Sequence, residues 1–469
     1  MNAPTIGLLP LYVKLYDDAA PELRDTMTPI ITSVVDAFQK VGIAAIEAPV
    51  CRLKEEVSKS VEEFEQAGVD IIVTLHLAYS PSLESAQVLS ECDLPILMLD
   101  TTPDTDFGPD VDPQRIVYNH GIHGLQDLAS MLRRFGKTYT VVAGHLSNPQ
   151  TIARAEAVVR GAQAVSKFRS MRVLRIGSPF EGMGDFQVPD QELHETPGIH
   201  VDQIRPEELL EDVESVTEED VAREMAEDNA AFLVEVDDEL HERSVRLGLG
   251  LRRYLEKGGY GAFSMNFLAF NIEEGPLSTV PFLECSKAMA RGQGYAGEGD
   301  VLTAALVGAL NSAVGPTTFT EMFCPDWSGG TIFLSHMGEF NPALAVDRPR
   351  LHEKDYPFSA VQRPVALACA PCPGPATLVN LTPGPGGTFD LLIAPVEVLG
   401  DGTHPDIKHS VRGWIRPAMP LERFLEAYSH HGGTHHCALV MRECREEVLA
   451  FAHAAGMDAV VLEARGSVA

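Results

Sequence analysis

TIGLLPL, at residues 5–11, is the first of six short apolar runs that decide the fold. Outward from it lie AAIEAP (44–49), DIIVTLHL (70–77), PILMLDTT (95–102), TYTVVAGH (138–145) and MRVLRIG (171–177), bounded by Pro, Gly, Asp or Asn. Runs of this length and composition read as strands buried on both faces of a parallel sheet. The longer helical patterns between them make the region a doubly wound α/β domain. Ligands in such folds gather beyond the carboxyl ends of the strands, which here carry Leu9, Pro10, His76, Asp100, Thr101 and His145. No G-x-G-x-x-G follows the first strand, so a dinucleotide is not indicated.

Further along, GAFSMNFLAF (261–270) reads as a strand, and CSKAMARGQ (285–293) and VLTAALVGALNSAV (301–314) as helices. Residues 183–242, dense in Asp and Glu, read as the solvated face of one or two surface helices. Beyond 330, TIFLSHMGE, PVALACA, ATLVNLTP, GTFDLLIAPVEVLG and SVRGWIRP are strand-like runs divided by Gly and Pro. They predict an antiparallel barrel or sandwich. The expected class is α/β with a C-terminal antiparallel β-barrel-like domain. Its expected divisions are a Rossmann-like domain at 1–172, a central α/β domain at 173–316 and the barrel-like domain at 317–469.

The chain has 469 residues, 36 Lys and Arg against 67 Asp and Glu, and a net charge of -31. A nucleic-acid backbone would be repelled. No run is long and apolar enough for a membrane span, and the start of the sequence has no export signal. Eight scattered cysteines agree with a reducing compartment. The expectation is a cytoplasmic protein with no nucleic-acid or membrane partner. Cys369 and Cys372 have metal-like spacing but no second pair, and a turn between strands is the simpler reading.

Chemistry-bearing residues concentrate in four places. GYAGEGD (294–300) places Glu298 and Asp300 in a glycine-rich turn opening a helix, where Asp300 suits a cap. TTFTEMF (317–323) sets Glu321 among apolar residues, and LSHMGE (334–339) sets His336 on a strand beside Glu339. Singly, each is an ordinary core or paired residue. HHGGTHH (430–436), with His430, His431, His435 and His436 around a Gly-Gly turn, is denser than a surface loop requires. Carboxylates with imidazoles and no thiolate suit Mn²⁺ or a related divalent ion better than a closed structural zinc site.

VPFLECSKAMARGQGYAGEGDVLTAAL (280–306), followed in order by TTFTEMF, FLSHMGE and GGTHH, resembles the L-arabinose isomerase and L-fucose isomerase superfamily, more closely its arabinose isomerase branch. The resemblance covers most of the chain. It implies Glu298, Glu321, His336 and one histidine of the His435–His436 pair, His436 being the favoured one, as metal ligands for Mn²⁺ (or Co²⁺ or Mg²⁺), with the two Glu also moving protons. It further implies His120, in NHGIHGLQDL (119–128), and Phe267 as substrate-binding residues together with His435, and a hexamer in which His120 reaches a neighbouring subunit's site. The implied reaction is aldose–ketose isomerisation of a free sugar through an enediolate, a metal stabilising the charge that develops on its oxygens. The competing readings are a metal-dependent epimerase or aldolase and a non-catalytic sugar sensor. LLPLYVKLYDD (8–18) departs from the branch's Gln-containing substrate loop, so the sugar is left open. The absence of a phosphate cradle and the sparse Lys and Arg around these motifs favour a free sugar over a sugar phosphate. Arg291, seven residues before Glu298, is expected to pair with surface acids.

Overall fold

The computed structural model describes residues 3–464. They divide into two units, one running to Ser166 and including Glu446–Gly456, the other comprising Lys167–Arg445 and the segment after Gly456.

The first unit carries five parallel strands, β1 (Thr5–Leu11), β2 (Ala44–Glu47), β3 (Ile71–His76), β4 (Ile96–Asp100) and β5 (Thr140–Ala143), in the order β2-β1-β3-β4-β5. All of β3 is buried, and strand alternation divides it between two cores. Ile71, Val73 and Leu75 pack with Ile30, Val34 and Phe38 of the helix Thr28–Lys40. Ile72 packs with Val57, Val61 and Phe64 of the helix Lys54–Ala67. Apolar side chains at helical spacing therefore cover both faces, as a parallel sheet demands.

The second unit begins with β6 (Arg172–Ile176) and β7 (His200–Ile204). After β8 (Leu233–Glu235), it continues with β9 (Ala262–Met265) and β10 (Gly294–Gly297), giving a four-stranded parallel sheet of order β10-β9-β6-β7. The segment GYAG, expected as a turn, is thus β10. It passes so close to the helix Val301–Ala313 that a Cβ on Gly294 would stand 2.0 Å from the carbonyl oxygen of Ala304. That helix is apolar around nearly its whole circumference and buried throughout all but its last turn, as a central core helix must be. It links β10 to β11 (Thr317–Asp326).

There follow β12 (Thr331–Ser335), β13 (Arg350–Glu353), β14 (Val365–Ala368), β15 (Gly374–Pro383), β16 (Phe389–Val398), β17 (Gly413–Pro417), β18 (His436–Val440) and β19 (Asp458–Val461). Six of these join β11 in a seven-stranded, mostly antiparallel sheet, β15-β18-β11-β12-β17-β16-β19, in which β15 also pairs with β16 and β19 is parallel to β16. The run PVALACA instead supplies β14 to a small sheet with β13 and β8.

The acidic stretch is less solvated than its composition suggests. It contributes β7 and β8, and the helix Glu218–Ala231 buries Glu224 and Asp228. Arg252 reaches Glu224 at 2.6 Å and Glu284 at 2.9 Å, while Lys287 reaches Asp228 at 2.6 Å. Burial alone would raise the carboxyl pKa of Glu224; Arg252 and Lys287 outweigh it and hold the value at about 2. Arg291 pairs with Glu284, a buried rather than a surface acid. Among the described residues no helix is long and apolar enough to cross a membrane.

Candidate active site

Sheet register brings the distant motifs together. On β11, Glu321 stands opposite His436 of β18 on one side and Ser335 of β12 on the other, and His336 follows Ser335 directly. Directly opposed residues of antiparallel strands share a face about 4.5–5.5 Å apart. Alternation then turns Cys437 to the opposite face, where it joins a separate core cluster. Glu298 arrives from the parallel sheet, immediately after β10. It is the only non-glycine with positive φ (66°) among the described residues, a strained conformation of the kind found at functional sites. Its neighbours need to be glycine: a Cβ on Gly297 would stand 2.8 Å from His336 Cε1, and Gly299, at φ 89°, would drive one to 2.8 Å from Pro179 Cα.

Four side chains face one another across this junction. His436 Nε2 lies 3.6 Å from Glu298 Oε2 and 3.9 Å from Glu321 Oε1, and His336 Nε2 lies 3.9 Å from Glu321 Oε2. His435 Nε2 joins them from the partly exposed rim, 3.6 Å from Glu298 Oε2 and 3.5 Å from Glu321 Oε1. Every imidazole has its other nitrogen occupied by a carboxylate: Asp300 for His436 at 3.0 Å, Glu339 for His336 at 2.7 Å, and Asp185 for His435 at 2.6 Å. In a neutral imidazole, an Nδ1–H donated to a carboxylate fixes the tautomer and leaves Nε2 with a lone pair. Asp300 does this while its other oxygen caps the helix Val301–Ala313 by accepting from Thr303 N at 2.9 Å.

Two buried atoms, Glu298 Oε2 and His436 Nε2, have no hydrogen-bond partner, and buried polar groups seldom go unpaired. Together with His435 they form a set of carboxylate and imidazole donors able to converge on one cation. Burial lowers the pKa of His435, but the Asp185 carboxylate hydrogen-bonded to it and the nearby Glu298 and Glu321 carboxylates outweigh that and bring it to about 10. Asp185 is held at about 2 against its own burial by the same imidazole. The pKa of His336 is raised despite its burial because Glu339 and Glu321 face it. His430 and His431 end the helix Leu421–His430 on the surface and stay outside the cluster.

Phe267 is buried in a short 3-10 turn, its ring 5.6 Å from Phe180, whose backbone N–H donates to the Glu298 carbonyl at 2.9 Å. His120 belongs to the other unit, where its Nε2 accepts from the Tyr16 hydroxyl at 3.1 Å and its Nδ1–H donates to the Ile116 carbonyl at 2.8 Å. The sequence reading missed Asp185 and Phe186, which hold the histidine pair from one loop: Phe186 stacks on His436 at 5.2 Å. Their only local signal is the glycine-flanked GMGDF.

A four-stranded parallel sheet joined within one unit to a mostly antiparallel sheet, with two glutamates and three carboxylate-anchored histidines at the join, defines an α/β protein with a built acid–imidazole centre. The chain matches the L-arabinose isomerase N-terminal domain over residues 14–170, the central domain over 190–314 and the C-terminal domain over 316–458. It belongs to the L-arabinose isomerase family, a family of aldose–ketose isomerases. The L-arabinose isomerase of a Nocardioides species is 27% identical over 92% of this chain and 88% of its own length. L-arabinose isomerase 1 of Bacillus licheniformis is 28% identical over 85% of this chain and 82% of its own. The Bacillus subtilis L-arabinose isomerase is 27% identical over the same shares.

Proposed function

We propose that the chain is a divalent-metal-dependent isomerase converting a free aldose, L-arabinose or a related sugar, to its ketose. The observation that carries this reading is the unpartnered pair Glu298 Oε2 and His436 Nε2, 3.6 Å apart and buried. Two such groups without a third partner would each carry a desolvation penalty of about 1–3 kcal/mol; a shared cation removes it. Glu298, Glu321, His336 and His436 would hold the ion, and their oxygen and nitrogen donors suit Mn²⁺, Co²⁺ or Mg²⁺. When bound, such an ion supplies Lewis-acid stabilisation of negative charge on the sugar's C1 and C2 oxygens.

The remaining work falls to the side chains. Glu298 and Glu321 are the bases available to carry the proton between C1 and C2, a contribution of about 10²- to 10⁴-fold. His435, tethered by Asp185 at the rim, donates to a sugar oxygen, and Phe267 supplies an apolar wall. The pairing of β15 with β16 supports reading the C-terminal sheet as a barrel. The family resemblance supports a homo-oligomer, a hexamer, in which His120 completes a neighbour's site. His120→Ala is then expected to raise KM by about tenfold with metal content unchanged; an unaltered KM removes His120 from the site.

The substrate class is tested by comparing kcat/KM for a panel of free aldoses and their phosphates with added Mn²⁺. A free aldose is expected to lead. A phosphate preferred by tenfold, about 1.4 kcal/mol, overturns that assignment.

A further inference from the structure

We infer that Glu339, held in place by Tyr295, is a positioning residue that sets the metal affinity of the site through His336. The inference rests on the metal reading of Glu298, Glu321, His336 and His436. Glu339 is 1% exposed, yet both its oxygens are engaged: Oε2 accepts from His336 Nδ1–H and Oε1 accepts from the Tyr295 hydroxyl, each at 2.7 Å. Tyr295 is itself 1% exposed, and a buried phenol needs such a partner.

The strand that delivers Glu298 also builds this support. Tyr295 and Gly297 fall on the same face of β10, since side chains alternate. Tyr295 anchors Glu339, and the bare Cα of Gly297 makes room for the His336 ring. Phe319 sets its ring edge-on to Tyr295 at 5.9 Å, to His336 at 4.7 Å and to His436 at 4.9 Å. The His336 imidazole is thus fixed at Nδ1, along its ring and at Cε1, and Nε2 is left facing Glu321. Two short motifs, Tyr295-x-Gly297-Glu298 and His336-x-x-Glu339, specify the whole device. A carboxylate behind a ligating imidazole raises its basicity and holds its orientation, and losing it lowers metal affinity by about 10- to 100-fold.

The experiment is a Mn²⁺ titration of the metal-stripped full chain, with free ion followed by electron paramagnetic resonance, alongside the visible spectrum of the Co²⁺ form. Glu339→Gln preserves the shape and removes the charge. It is expected to raise the Mn²⁺ Kd by about 10- to 100-fold and to alter the Co²⁺ spectrum; a purely structural role would lower the melting temperature and leave both unchanged. Tyr295→Phe, which removes one hydroxyl, is expected to raise Kd about threefold or more and decides the matter if Glu339→Gln does not fold. Variants that fold and bind Mn²⁺ within twofold of the unaltered protein overturn the inference. If the unaltered protein itself takes up no Mn²⁺, the underlying site assignment fails and takes this inference with it.

Discussion

Glu298→Gln is expected to lower kcat/KM for the best aldose by about a thousandfold or more, within the range for losing an acid–base group, and to remove most of the bound metal. The change is nearly isosteric. It takes away the negative charge facing His436 Nε2 and His435 Nε2 at 3.6 Å and leaves an amide unable to accept a proton from carbon. Gln meets the same backbone strain at φ 66° as Glu, so the stripped variant is expected to melt close to the unaltered protein. Ketose formation and metal content measured on one preparation check this. Undiminished activity with a full complement of metal would sink the assignment of Glu298.

Asp300 offers the second large effect, because one carboxylate performs two tasks. Asp300→Ala removes the cap on the helix Val301–Ala313, worth about 1 kcal/mol, and leaves the buried His436 Nδ1–H without its acceptor, costing about 1–3 kcal/mol. A loss of about 2–4 kcal/mol in unfolding free energy is expected, with metal affinity falling about 10- to 100-fold. Asp300→Asn separates the tasks. Its amide oxygen can still cap Thr303, but its NH₂ then faces His436 Nδ1, favouring the tautomer that puts the proton on Nε2 and removes the lone pair from the site. That variant is expected to stay within about 1 kcal/mol in stability while losing the metal. Denaturant unfolding of stripped protein and metal titration read the two outcomes separately; an Asn variant with unchanged metal affinity would show that Asp300 only caps.

The parallel sheets were legible because burial on both faces leaves a pattern in the strand itself, as all of β3 shows. What each run pairs with is not written there. PVALACA looked like its neighbours, yet it joins β13 and β8, since strand partnership is settled by distant segments. GYAG read as a turn because two glycines in four residues ordinarily mark one. Here Gly294 answers instead to the closeness of a packed helix. The acidic stretch misled for a related reason: Glu224 and Asp228 are buried by cations on other elements, 28 and 59 residues away in sequence for Arg252 and Lys287 respectively.

The site followed the same rule. Glu298, Glu321, His336 and the histidine pair stood out because residues of metal-binding type recurred in short motifs, and the order of those motifs carried the family resemblance. The groups behind them did not stand out. Asp185 meets His435 across 250 positions and Tyr295 meets Glu339 across 44, and neither separation has a sequence period. Asp300 was legible as a cap, but its hydrogen bond to His436, 136 residues away, could be read only from the fold.

The most direct test of the account is to strip the full chain of metal with a chelator, supply L-arabinose and related free aldoses, and follow ketose formation by NMR before and after adding Mn²⁺. The account predicts no ketose from the stripped protein and turnover restored once about one ion per chain is bound. Ketose formed at the same rate without metal, or none formed from any aldose with the ion bound, would contradict it.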